Sequence, residues 1–234
     1  MIGGGGGIGR ALLERLSQDG RPCVIASRDG QNHEHLDGEC QLCDARSFDQ
    51  VEALLKGATE RHGSVSGLVN LAGSIILKPA HLISETEWSE TIATNLTTAF
   101  ATVRAAGKTM RQGGSVVLVS TVAAATGLPN HEAIAAAKAG VEGLARSAAA
   151  TYAARRLRCN VVAPGLVDTP LAERITKSEK TLEHSRKMHP LGRIGEPDDV
   201  AAAIEFLLSE RSDWMTGQVI GIDGGLGSTR AGAV

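Results

Sequence analysis

Gly3, Gly7 and Gly9 stand at offsets of four and six, just ahead of a helix-like segment, Ile8–Asp19. That spacing suits a turn that cradles a dinucleotide pyrophosphate. The chemistry needs a tight bend, a backbone without Cβ atoms in the way, and a helix N-terminus whose free amides face the anion. A flexible glycine tail is the competing reading, because Gly3 to Gly7 are glycine without interruption. Ser27-Arg28 ends the next apolar run. A carboxylate there would bond a ribose 2′-hydroxyl and repel a 2′-phosphate, whereas a hydroxyl and a guanidinium suit the phosphate. NADP is therefore expected over NAD, set against a plain surface arginine. Cys40 and Cys43 form a C-x-x-C, but on a strand they would point to opposite faces, so buried or half-buried thiols are expected and no metal site. Cys23 and Cys159 read as core residues of strands.

The elements that must position these groups alternate along the chain. Strands are expected at Pro22–Ser27, Glu39–Cys43, Gly67–Asn70, Ser115–Ser120, Arg158–Val162 and Gln218–Ile222. Several are apolar throughout, as when both faces of a sheet are covered. Leu12, Leu13 and Leu16 make one face of the first helix, which should end at Gly20. Ser47 with Gln50 and Ser84 with Glu87 have capping-box spacing, and Pro197 suits the first turn of a late helix. Strand-helix alternation predicts right-handed crossovers and a parallel sheet. The fold class is α/β: a single Rossmann-type doubly wound sheet with helices on both faces, one domain over residues 1–234. Only Met1 and Ile2 precede the glycine turn. Either the first strand is very short, or the numbering begins inside a longer chain.

The totals exclude several classes. With 24 basic and 26 acidic residues and only 3% aromatics, the chain lacks both an electrostatic and a stacking footprint for nucleic acid. The longest uncharged stretch, from Gln112 to Asn130, holds Gly, Ser, Thr and Pro and does not read as a membrane span. No signal peptide is read at the N-terminus, so a cytoplasmic location is expected.

Further along stand Asn70-Leu71-Ala72-Gly73, Asn95, and Lys138 in Ala135-Ala136-Ala137-Lys138-Ala139-Gly140. Pro164-Gly165-Leu166-Val167-Asp168-Thr169, Gly217-Gln218 and Ile222-Asp223-Gly224-Gly225 follow. In this order and spacing, together with the glycine turn, they resemble the short-chain dehydrogenase/reductase family over essentially the whole chain. The resemblance implies a nicotinamide cofactor, with Gly3, Gly7, Ile8 and Gly9 at the pyrophosphate and Asp44 and Ala45 beside the adenine. It implies Asn70, Ala72 and Gly73 along the adenosine ribose, and Pro164, Gly165, Val167 and Thr169 around the nicotinamide. Lys138 resembles the lysine that grips the nicotinamide ribose. The implied activity is hydride transfer that interconverts a carbonyl and an alcohol on a small molecule. A mobile substrate lid is implied over Thr169–Gly192, and a homotetramer or homodimer built through the Lys138 helix and the last strand. The face of Ala135, Ala139, Ala148 and Ala149 suits either such an interface or packing on the sheet.

In that family a tyrosine one helical turn before the lysine moves the proton. Here that position holds Ile134, which can neither give nor take one. The family's serine position falls on Thr121, with Ser120 as the neighbouring alternative, and Asn95 matches the relay asparagine. Tyr152, eighteen residues beyond Ile134, would sit roughly 27 Å away along a continuous helix and is excluded. His131 is the local substitute, since an imidazole suits proton transfer near neutrality; its alternative is an exposed or capping loop residue. Lys138 with water is a further route. His184 and His189 in the lid read as solvated. The expected function is an NADP-dependent oxidoreductase with an atypical proton donor; the alternative is a nucleotide-binding protein or regulatory subunit without turnover.

Overall fold

The computed structural model describes residues 1–28, 36 and 38–229. Six strands are formed among them: β1 (Val24–Ser27), β2 (Glu39–Leu42), β3 (Gly67–Asn70), β4 (Gly114–Val119), β5 (Leu157–Pro164) and β6 (Val219–Ile222). All the pairings are parallel, with β1 beside β2 and the order β3-β4-β5-β6 on the other side. Residues 1–3 join the two halves. Ile2 bridges Ala26 on one side and Asn70 on the other, and Ile2 N–H donates to Val69 O at 2.9 Å while Leu71 N–H donates to Ile2 O at 2.8 Å. Ile2 thus bridges the two halves at the sheet's centre.

The helices are α1 (Gly7–Gln18), α2 (Phe48–His62), α3 (Glu85–Ile92), α4 (Thr98–Thr109), α5 (Glu132–Tyr152), α6 (Glu173–Thr176), α7 (Glu179–Met188) and α8 (Pro197–Leu208). Two cores sandwich the sheet. Leu12, Leu16, Val200, Ile204 and Leu207 of α1 and α8 pack with Val117 and Val162. On the other face, residues of α2, α4 and α5 pack with Val116, Leu118, Cys159 and Val161. The alternation along β4 and β5 is the two-residue period of a strand, and it explains why these strands read as apolar without a break.

Local chemistry follows the expectation with some corrections. Ser84 and Glu87 form the full reciprocal box that starts α3. Ser47 caps α2 by accepting from Gln50 N–H, but the Gln50 side chain accepts from Asp44 N–H instead of closing the box. α1 begins at Gly7, one residue early, and stops at Gln18 with Gly20 left-handed beyond it. β5 runs longer than expected because Leu157 and Pro164 still have partners on β4 and β6. Cys23 lies just before β1 and is half-buried, not core; Cys43 and Cys159 are buried, and all four cysteines are free. Of the alanine face of α5, Ala148 and Ala149 pack into the core while Ala139 is exposed, so the four do not act as one surface.

Candidate active site

The chain leaves the sheet's centre at Ile2 for β1 and β2 on one side, then returns to β3 on the other. A crevice opens at such a switch point beyond the carboxyl ends of the strands, and a site belongs there. The glycine turn fills its mouth. Gly3 has φ +72, and a Cβ on it would lie 2.7 Å from Ala72 N, so glycine is required there both by conformation and by space. A Cβ on Gly9 would collide with the Gly4 carbonyl, which lets α1 start directly under the turn. The amides of the first turn of α1 then point into the crevice.

On the β1 side a cavity of about 250 Å³ is lined by Ser27, Arg28, Asp44, Ala45, Ala72 and Gly73 together with the glycine turn. Arg28 is exposed at its rim. The Asp44 carboxylate is paired with Arg46 at 2.8 Å, and that guanidinium holds it below the usual carboxylate range. Asn70 lies outside both cavities. It is buried, its carbonyl accepts Ala72 N–H at 2.9 Å and its amide donates to Thr98 Oγ1, so it shapes the Ala72–Gly73 wall from behind.

The larger cavity, about 430 Å³, is lined by Gly3, Gly7, Ile8 and Gly9 on one side and by Pro164, Gly165, Val167 and Thr169 on the other. Asn95, Thr121, His131, Ile134 and Lys138 complete it. Asn95 sits in a widened helical turn, Ala93–Thr97, between α3 and α4. Such bulges turn a side chain out of the regular register. Its carbonyl accepts Ser74 N–H at 3.1 Å and its amide donates to Ser74 Oγ and Thr91 O at 3.0 Å. Lys138 and Ile134 lie one turn apart on the buried face of α5. The Lys138 ammonium donates to Val119 O at 2.8 Å, at the carboxyl end of β4. Burial pushes it down from 10.5 to about 8. A Cβ on Gly73 would lie 3.1 Å from Asn95 Oδ1 and 3.5 Å from Lys138 Nζ, so these three residues converge on one point.

The two hydroxyls part company. Ser120 Oγ donates to Glu142 Oε1 at 2.8 Å, and is therefore committed to α5. Thr121 Oγ1 makes only long contacts, 3.4 Å to Pro164 O and to Ala123 N, and is the hydroxyl free to meet a ligand. His131 is the N-cap residue of α5 and makes no side-chain cap; its Nδ1 donates to Pro129 O at 2.8 Å, which leaves Nε2 for the cavity. Ile134 is buried beside it. His184 is exposed as expected, but His189 is buried, which corrects the solvated reading.

The donor set fits a dinucleotide. A cradle that Cβ atoms would fill continues into a cavity with a desolvated amine that has no carboxylate partner among the described residues. Sequence reasoning missed Ser74, Val119, Glu142 and His189, which act through backbone carbonyls or through residues distant in sequence. Only the pairing of Ser74 with Asn95 lay near a motif.

A family profile described as "Enoyl-(Acyl carrier protein) reductase" matches residues 3–227. A 3-oxoacyl-(acyl-carrier-protein) reductase of Thermotoga maritima is 35% identical, over 97% of this chain and 96% of its own. The reductase MabA of Mycobacterium bovis, of the same named activity, is 33% identical over 97% and 91%. The ligand-free aldohexose dehydrogenase of Thermoplasma acidophilum superposes with a TM-score of 0.91 at 33% identity, covering 100% of this chain and 94% of that one. These names are all of reductases or dehydrogenases, which favours an oxidoreductase over a binding protein without turnover. The chain belongs to the short-chain dehydrogenase/reductase family.

Proposed function

We propose that this chain is an NADP(H)-dependent oxidoreductase that interconverts a carbonyl and an alcohol with Ile134 standing at the family's tyrosine position. The observation that carries this reading is the convergence of Asn95, Thr121 and Lys138 on a cavity continuous with the glycine turn. When bound, the nicotinamide supplies or accepts the hydride. Lys138, Gly165, Val167 and Thr169 hold its end of the cofactor, and Ser27 and Arg28 take the 2′-phosphate. Thr121 Oγ1 orients the substrate oxygen. His131 exchanges the proton at Nε2, because Nδ1 is spent on Pro129 O. Ile75, Leu77, Leu128, Leu171, Ile175 and Met188 give the cavity apolar walls. With the activity named for the Thermotoga and Mycobacterium relatives, they support an acyl-type carbonyl compound as substrate.

The whole chain works as a single domain, with residues 169–192 as the substrate lid, and as a homotetramer or homodimer in the cytoplasm. Among the described residues, no helix is long and apolar enough to cross a membrane. The apolar Ile134, which lines the cavity one turn before Lys138, favours the rival reading, a nucleotide-binding subunit without turnover. NADPH consumption by the purified protein against a panel of carbonyl compounds, alongside His131→Ala, separates the two. The proposal expects wild-type turnover that drops at least about tenfold in the variant. Unchanged turnover in the variant removes His131 from the mechanism, and no wild-type turnover on any compound favours the binding subunit.

A further inference from the structure

His189 follows α7, a helix with no fully buried residue of its own, yet it is only 3% exposed. Both ring nitrogens are used. Nδ1 lies 2.6 Å from Ser185 O, one turn back in α7, and must donate because a carbonyl oxygen only accepts. Nε2 then carries a lone pair, and Leu166 N–H donates to it at 3.2 Å. The ring is therefore a neutral imidazole with its proton fixed on Nδ1. Glycines make its seat: a Cβ on Gly165 would stand 2.6 Å from Nε2, and one on Gly224 would stand 3.6 Å from the His189 Cβ. The backbone adds Gly192 N–H to His189 O and Leu191 N–H to Gly224 O, both within 3.1 Å. One side chain thus joins the helix over the cavity, the segment that follows β5, and the turn after β6.

We infer that His189 is a positioning residue: by tying Leu166 N–H to α7, it holds the Gly165–Thr169 wall in the shape that receives the nicotinamide end of the cofactor. This rests on the cofactor reading proposed above. Without an acceptor, the half-buried Leu166 amide would lose its partner and the wall would separate from α7. His189 borders the same cavity, but both its ring nitrogens are committed to Ser185 O and Leu166 N–H, so its effect reaches turnover through the wall.

The test compares wild type with His189→Leu, which removes the acceptor, and His189→Gln, which returns one at the right reach. Amide hydrogen exchange over residues 164–170 and 179–190 reads the tie without any nucleotide, and NADPH fluorescence titration reads its consequence. His189→Leu should speed exchange at 164–170 and raise the NADPH Kd about tenfold, with His189→Gln within about threefold of wild type on both. Should the leucine variant not fold, His189→Asn serves instead: it can still serve Ser185 O but falls short of Leu166. Wild-type exchange and wild-type NADPH affinity in the variant, with only a lower Tm, would overturn the inference. So would failure of glutamine to restore either readout. A wild-type protein that binds no nucleotide would overturn the cofactor reading itself, and the exchange comparison tells that failure from a failure of His189.

Discussion

Replacing Lys138 with methionine should separate stability from function in opposite directions. The ammonium is buried and held near 8 instead of 10.5 by loss of hydration. At ~1.4 kcal/mol per pH unit, carrying the charge costs about 3 kcal/mol of folding stability wherever both states are protonated, that is, below pH 8. Methionine matches the length and removes that cost, but leaves Val119 O without its donor, worth about 1–3 kcal/mol. At pH 7 Lys138→Met should therefore be as stable as wild type or up to about 2 kcal/mol more stable, a rise of up to ~8 °C in Tm for a chain of this size. The sign with pH follows. Between about 8 and 10.5 the unfolded lysine keeps its proton while the folded one has lost it, so raising pH favours the folded wild type. Urea unfolding of both proteins at pH 7 and pH 9.5 should show wild type gaining about 2 kcal/mol relative to the variant. On the proposed reading, in which Lys138 grips the nicotinamide ribose, turnover in the variant should fall about a hundredfold or more. A variant more than about 2 kcal/mol less stable at pH 7, or one with the same stability difference at both pH values, would refute the reasoning.

Two further outcomes follow. Ile134→Tyr adds an ionisable hydroxyl one turn before Lys138; because His131 already exchanges the proton on the proposed reading, turnover of a given carbonyl should rise by no more than about tenfold, read from steady-state kcat. Arg28→Ala should weaken NADPH about tenfold or more while leaving NADH within about threefold, read by parallel fluorescence titrations.

The order of elements was legible where a strand carried its own apolar run, as Ser115–Ser120 does, or a helix its own start signal, as at Ser47, Ser84 and Pro197; α4 has no capping side chain and was not read. The glycine turn was legible because its backbone geometry admits few residue types, whereas Asn95 and Lys138 were placed by the family resemblance of their motifs. The assignment of the hydroxyl was not. Ser120 and Thr121 are neighbours, and only the position of Glu142, twenty-two residues beyond Ser120, commits Ser120 to α5. His189 was misread for a similar reason. A histidine in a charged stretch looks solvated until the fold brings the Gly165 segment against it, a contact made across twenty-three residues. Asn70 was placed with the ribose by its motif, whereas its amide turns inward to Thr98 and Ala72. Motifs located the wall, and packing decided which of its members face the cavity.

The central claim is that hydride transfer occurs here with isoleucine where the proton donor would stand. Its most direct measurement uses NADPH carrying deuterium at both C4 positions, with the product of a 3-oxoacyl thioester read by mass spectrometry. The account predicts one deuterium on the carbinol carbon of each alcohol formed, in proportion to nucleotide oxidised. Tight nucleotide binding with no labelled alcohol, for wild type and across carbonyl compounds, would contradict it.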